Sequence, residues 1–430
     1  MKVALLCEDA GVAQTLATTS FILSIADGLT RAGVPVRILG LTPRESGWCP
    51  ESLHPFESAA PWLSPPVPRA EDRLEAIRCP MPVDSAPEEP SDPASPPEWY
   101  LELLLQRELE GFADGEKDLV LVVFPINHAI LSRAARVAKR RGWRVIVQSC
   151  EAMSRPWIDP DTRDGYMRCV AEQADGVWSL SHFLAEFWVS RGVRRESVLV
   201  RPSITRVEQY LPMPPCGGCS AVYLGNLQHK EIDYLLDIAS MVARRVPEFH
   251  LTIHGDAAPE RRAELVALIE ARGLGGAVDL VSSHWSAEVP GILAHADVLL
   301  LPRAEDEFSQ ASFPNKLGEY LASGRPVVVT AVGDIPLYVT DREDALLVEP
   351  DDCEAFASAI TDVLSDPALA LRLGTAGRAL AERLFDSEVV AKRIIAFAES
   401  LPAKRPARRT LRQRWKYVRA VLSRRDLATR

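Results

Sequence analysis

The stretch FPNKLGEYLASGRPVVVT, residues 313–330, decides how the chain folds. Pro314 suits the first turn of a helix, whose leading amides lack an intrahelical partner in any case. Leu317 and Leu321 are four apart and share one helical face. Gly324 stands just past the last turn, where a left-handed residue is favoured. The run at 327–329 then reads as a strand. Similar runs precede it at 298–301, within DVLLLP, and follow it at 345–348, within DALLVEP. None is interrupted by a breaker, so each is expected to be buried on both faces, as in a parallel sheet. That order leaves Asn315, Lys316 and Glu319 on the helix's other face, near a strand's carboxyl end, where open α/β sheets bind ligands. Free amides at a helix start attract phosphate. A carboxylate in the second turn can accept from two neighbouring hydroxyls. Taken alone, Glu319 is equally consistent with a solvated carboxylate beside Lys316.

The rest of the chain sets bounds on this reading. At 430 residues it has the length of two to three domains, and 47% apolar with 25% charged residues describes a globular protein. No window approaches the roughly 20 apolar residues needed to span a bilayer. MKVALLCEDAGV reads as a strand running into acids, not a signal peptide. The eight cysteines are scattered. Cys7, Cys150 and Cys169 lie in or beside apolar segments, as buried free thiols do, so a reducing, cytosolic compartment is expected. Cys216 and Cys219 form one CGGC without a second pair to complete a zinc site. Asp159-Pro160-Asp161 matches a metal-binding DxD pattern, but beside Pro156 it reads as a turn, and no metal site is expected. From 403 onward 11 Lys/Arg face one Asp, about +10 there and about −20 on the remainder, together the −10 of the whole chain.

In chain order, strand, helix and strand at 2–7, 20–32 and 34–39 open the chain. Residues 42–97 are proline-dense, acidic toward their end and without periodicity, so a loop is expected. Helix at 98–112, strand at 119–124, helix at 129–141 and strand at 145–147 follow. Helix at 164–173, strand at 176–179, helix at 183–191 and strand at 198–200 complete a first domain over 1–211. A Pro/Gly linker occupies 212–219. A second βα series runs over 220–385, then a return helix over 386–401 and a basic tail from 402 to 430. Two alternating βα series joined by such a linker mean an α/β protein of two Rossmann-like, doubly wound domains facing a cleft.

The 297–350 stretch resembles the nucleotide-sugar site of the retaining GT-B glycosyltransferases of family 4. The resemblance is strong over 221–350 and weaker over the first domain. It implies that the helix start faces the donor diphosphate and that Glu319 holds the ribose hydroxyls. Relatives end the second domain's first strand in Gly-Arg, with a Lys shortly after, and these cations hold the diphosphate. This chain has Gly225, then Asn226, which cannot neutralise charge, and Lys230 in the place of the Lys. Lys316 or Arg303 could supply the missing cation. Relatives carry a further Glu where this chain has Ala311. Glu305 and Glu307 are off register, which leaves Ser309, Gln310 and Ser312 to meet the donor sugar. His284 and Trp285 fall where relatives seat the nucleobase, although Trp285 equally suits packing. Gly255 matches a glycine that keeps the cleft floor open. In the first domain, relatives often place a His after the strand at 145–147, where this chain has Ser149-Cys150-Glu151. Glu151 is the candidate to face the reacting sugar, with Asn127 and His128 as weaker candidates. The first βα turn, Glu8-Asp9-Ala10-Gly11-Val12, lacks the relatives' extra glycines.

The implied activity is metal-independent transfer of a hexose, with retention, from a nucleoside-diphosphate sugar to a glycan or lipid-linked acceptor. Glu151 and Lys230 are the expected catalytic residues, no cofactor is expected beyond the nucleotide sugar, and no nucleic acid is a partner. A non-catalytic GT-B binding or assembly module, or a GT-B nucleotide-sugar epimerase, is the alternative. Leu411, Trp415, Val418 and Leu422 make one helical stripe among basic residues in 403–430. Such a tail suits an anionic membrane surface, or packs on the acidic body.

Overall fold

The computed structural model describes residues 1–8, 16–41, 74–78, 98–116, 118–124, 128–149, 160–211, 217–228, 231–282 and 288–402. Two sheets organise them. The first contains β1 (Lys2–Glu8), β2 (Val36–Leu41), β3 (Leu74–Arg78), β4 (Leu119–Val123), β5 (Arg144–Ser149), β6 (Gly176–Ser179) and β7 (Val198–Val200). The second contains β8 (Ser220–Leu224), β9 (His250–His254), β10 (Val278–Val281), β11 (Val298–Leu301), β12 (Val327–Thr330) and β13 (Leu346–Val348). The orders are β3-β2-β1-β4-β5-β6-β7 and β10-β9-β8-β11-β12-β13, and every pairing is parallel. Strand order reverses between β1 and β4 in one sheet and between β8 and β11 in the other. Each reversal opens a crevice at the strands' carboxyl ends.

The apolar runs explain both sheets. Ala4 and Leu6 of β1 join one buried cluster, while Val3, Leu5 and Cys7 join another on the opposite face. Val298 and Leu300 of β11 face one core of the second sheet, and Leu299 and Leu301 face the other. Side chains alternate along a strand, so two buried faces require an uninterrupted apolar run. At roughly 1.5–3 kcal/mol per buried aliphatic side chain, such strands are central and not edge strands. The two-sheet α/β architecture read from the sequence is therefore the one the chain adopts.

Helix Ser387–Ser400 belongs to the first sheet's core despite its late position. Val390, Ala391, Ile394, Phe397 and Ala398 share a cluster with β1 and with Ile25 and Leu29 of helix Leu16–Arg31. The approach is close at Gly28, where a Cβ would lie 2.0 Å from the Ser387 carbonyl oxygen. Arg31, one turn on, reaches Glu208 at 3.0 Å and Glu388 at 3.4 Å.

Two sequence expectations need correction. Residues 42–97 are not all loop: Leu74–Arg78 adds β3 at the sheet edge, with Val36 level with Leu74. Five residues between proline-dense flanks are too short for periodicity to stand out. Pro160 and Asp161 are not a free turn but begin helix Pro160–Gln173, where the missing proline amide costs nothing.

Candidate functional site

The site is built on helix Asn315–Ala322 and the strand ends beside it. Pro314 is the N-cap, and Gly324 ends the helix with φ 73°. Leu317, Tyr320 and Leu321 are fully buried, whereas Asn315, Lys316 and Glu319 remain partly exposed. The helix is clamped to the end of β8 at one residue. The Leu224 amide donates to the Tyr320 hydroxyl at 2.8 Å, and Lys316 Nζ donates to the Leu224 carbonyl at 2.7 Å. The Lys316 ammonium also lies 4.9 Å from the Tyr223 ring centroid. Burial lowers the Lys316 pKa, and Glu231 opposes that shift. The Tyr223 hydroxyl donates to Glu231 Oε1 at 2.5 Å, and its pKa is pushed well up by burial and then by that carboxylate.

Two glycines make this junction possible. A Cβ on Gly225 would meet the Tyr223 hydroxyl at 2.2 Å. A Cβ on Gly255 would stand 1.9 Å from the Gly225 carbonyl oxygen. Gly255 is therefore a position between adjacent strand ends where only glycine fits. Asn226 is exposed, and its Oδ1 accepts from the Gln228 amide at 2.9 Å. The side chain closes its own turn, as Asn commonly does, so its role is local.

Glu319 has a partner that the sequence did not reveal. The Tyr210 hydroxyl hydrogen-bonds its carboxylate, and the Tyr210 pKa is raised well by burial and then by the Glu319 charge. Ser309 and Ser312 are buried, and both hydroxyls accept from Arg303 Nη2, at 3.3 and 2.6 Å. Gln310 is half-buried in the short helix Glu307–Ala311, and Glu305 and Glu307 are exposed. Asp306 caps that helix by accepting from the Ser309 amide at 2.7 Å. Ala311 is fully buried, and its carbonyl accepts from the Ser181 hydroxyl at 2.8 Å. The neighbouring His182 approaches Asp334 through both its amide, at 2.7 Å, and its ring Nδ1, at 2.9 Å. These bonds carry the end of β6 across to the loops after β11 and β12.

Glu151, Lys230, His284, Trp285, Asn127 and Asp159 lie outside the described residues, as does the tail from 403 to 430. His128 begins helix His128–Arg141 after β4. Among the described residues, no group of three His, Cys, Asp or Glu is placed to hold a metal ion, and no helix is long and apolar enough to cross a membrane.

Two parallel, doubly wound sheets joined across their carboxyl-end crevices define the GT-B architecture. Residues 18–203 match the glycosyl transferase 4-like domain, and residues 218–366 match glycosyl transferases group 1. The chain is thus a GT-B-fold relative of the group 1 and 4-like glycosyl transferases. A D-inositol 3-phosphate glycosyltransferase of Corynebacterium urealyticum is 29% identical over 186 residues, 42% of this chain and 42% of that protein. The match therefore spans less than half of that relative's length. A GDP-mannose-dependent alpha-(1-6)-phosphatidylinositol monomannoside mannosyltransferase of Mycolicibacterium smegmatis is 27% identical over 68% of this chain and 79% of its own length. Among solved structures, HepE of Anabaena in complex with UDP superposes with a TM-score of 0.65 at 15% identity, covering 93% of this chain and all of that one.

Proposed function

We propose that the protein transfers a sugar from a nucleoside-diphosphate sugar to a glycan or lipid-linked acceptor with retention. The observation that carries this is helix Asn315–Ala322 fixed at the β8/β11 switch point, with Lys316 against the strand end and Glu319 on the half-exposed face. In this reading Glu319 receives the ribose hydroxyls. The helix amides, Lys316 and Lys230 stabilise the diphosphate as it leaves, so catalysis is mostly positioning and electrostatics. Asn315, Gln310, Ser309 and Ser312 line the donor, with His284 and Trp285 at the base, and Glu151 faces the reacting sugar from the first domain. The phosphoinositide and inositol phosphate chemistry in the names of two relatives fits a polar acceptor, free or lipid-borne. The reaction needs no metal.

The basic tail would hold the enzyme on an anionic inner-leaflet surface, each Lys or Arg adding about 1 kcal/mol. Protein of full length should sediment with anionic liposomes, and protein ending at Pro402 should not. Equal behaviour of both removes the membrane role.

The test of the function is a thermal-shift series with UDP, GDP, ADP and their sugars, followed by nucleotide release with a lipid extract. A ligand at a hundred times its Kd adds about 2.7 kcal/mol to stability. No shift with any nucleotide sugar would refute the donor site. A shift without turnover would favour a non-catalytic binding protein, a reading that Ala311 and the turn-forming Asn226 support.

A further inference from the structure

Arg303 lies two residues past the end of β11 and is 8% exposed, so it is buried at the switch point. Its Nη2 donates to Ser309 and Ser312, its guanidinium lies 5.7 Å from the Phe308 ring centroid, and its buried Nε has no hydrogen-bond partner among the described residues. Among the described residues no carboxylate forms an ion pair with it. Its charge is felt at Tyr223 and at Lys316, where it adds to the effect that lowers the lysine. Lys316 likewise has no ion pair among the described residues. Glu231 and Glu319 act on Lys316, but no carboxylate among the described residues is paired with the buried Arg303, and an unpaired buried charge is costly to keep out of water. It makes sense where an anion completes the set. Each serine accepts from the guanidinium through its oxygen and retains its own O–H to donate.

The position is informative as well. β11 pairs with β8 so that Val298 faces Ala221 and Leu299 faces Val222. The two neighbouring strands run out into the same crevice, β8 at Leu224 just before Gly225 and Asn226, and β11 at Leu301 just before Arg303. The Arg303 charge is felt at Tyr223 of β8, so the strand that leads into Asn226 has a guanidinium from its neighbour within electrostatic reach.

We propose that Arg303, held by Ser309 and Ser312, is an anion-binding residue of the donor site. It takes a charged oxygen pair of the donor, either on the diphosphate or on a sugar carboxylate. The neighbourhood of Lys316 and the helix start favours the phosphate. This rests on the nucleotide-sugar reading, but its test need not.

The probe is inorganic pyrophosphate, followed by nucleoside diphosphates, then UDP-glucose against UDP-glucuronate, each titrated into wild type, Arg303→Gln and Arg303→Lys. Loss of a charged hydrogen-bonding partner should weaken pyrophosphate and nucleoside diphosphate about ten- to hundredfold in Arg303→Gln. Arg303→Lys should recover part of the affinity, because it keeps the charge but not the fork. It also serves as the test should Arg303→Gln not fold: its pyrophosphate affinity must then fall short of wild type. A loss confined to the glucuronate preference would place the anion on the sugar. Pyrophosphate binding that depends on Arg303, with no nucleotide bound, would keep the anion site and discard the nucleotide-sugar reading. Equal affinities in all three proteins, or no anion binding by wild type, would overturn the proposal.

Discussion

Replacing Glu319 separates two roles that one side chain performs. Its carboxylate accepts from the Tyr210 hydroxyl, and Tyr210 is only 6% exposed. Glu319→Ala removes that acceptor and leaves a buried phenol unpaired, at about 1–3 kcal/mol of stability. Nothing in the sequence shows this cost, because Tyr210 and Glu319 are remote in the chain. Glu319→Gln keeps a carbonyl oxygen for Tyr210 and should lose less than about 1 kcal/mol. It has no charge and no second acceptor for a ribose diol, so nucleotide affinity should still fall by about 1.5–3 kcal/mol, the scale of a charged hydrogen bond. Denaturant midpoints and calorimetric titration of the same preparations read the two effects separately. Wild-type nucleotide affinity in both variants would refute the ribose role. Equal destabilisation by Ala and Gln would refute the Tyr210 argument.

Lys316→Met tests the buried ammonium. Burial holds the Lys316 pKa below its ordinary 10.5. The unfolded chain then binds that proton more tightly, so stability rises with pH from the folded value up to 10.5. The difference between wild type and variant across alkaline pH should show that rise, and a flat difference would contradict it. Gly255→Ala forces a methyl against the Gly225 carbonyl and should cost about 1–3 kcal/mol as overpacking; an unchanged melting temperature would refute the close approach. Turnover should survive EDTA, and activity lost to EDTA and restored by Mn²⁺ or Mg²⁺ would overturn the electrostatic mechanism.

The sheets were legible because parallel strands with two buried faces write themselves as uninterrupted apolar runs. The helix at 315–322 was legible through Pro314, the Leu317/Leu321 pair and Gly324. Short elements were not. Helix Glu307–Ala311 depends on Asp306 accepting from one amide, and among acidic residues that reads as loop. Arg303 stands in the sequence only as one of two alternatives for the missing cation, and nothing local shows that it is buried. Its meaning comes from its burial and from two serines that follow it in the chain. The bonds from Ser181 and His182 to Ala311 and Asp334 join segments remote in sequence, so no motif spacing encodes them. Asn226 was visible as a departure, but only the structure shows it spent on its own turn.

The helix Ser387–Ser400 also has a consequence for how the protein is made. It and Leu401 cover apolar residues of the first sheet that precede it by most of the chain's length. A ribosome moves at roughly 5–20 residues per second, so it finishes this helix about 10–40 s after residue 211 has been added. During that interval Ile25, Leu29 and their neighbours lack the cover that they have in the finished protein. The amino-terminal half therefore cannot mature by simple vectorial folding, and a nascent chain halted before 387 should be a good client for a chaperone that recognises exposed apolar surface. Release from that chaperone should coincide with emergence of the last helix, not with completion of the first seven strands.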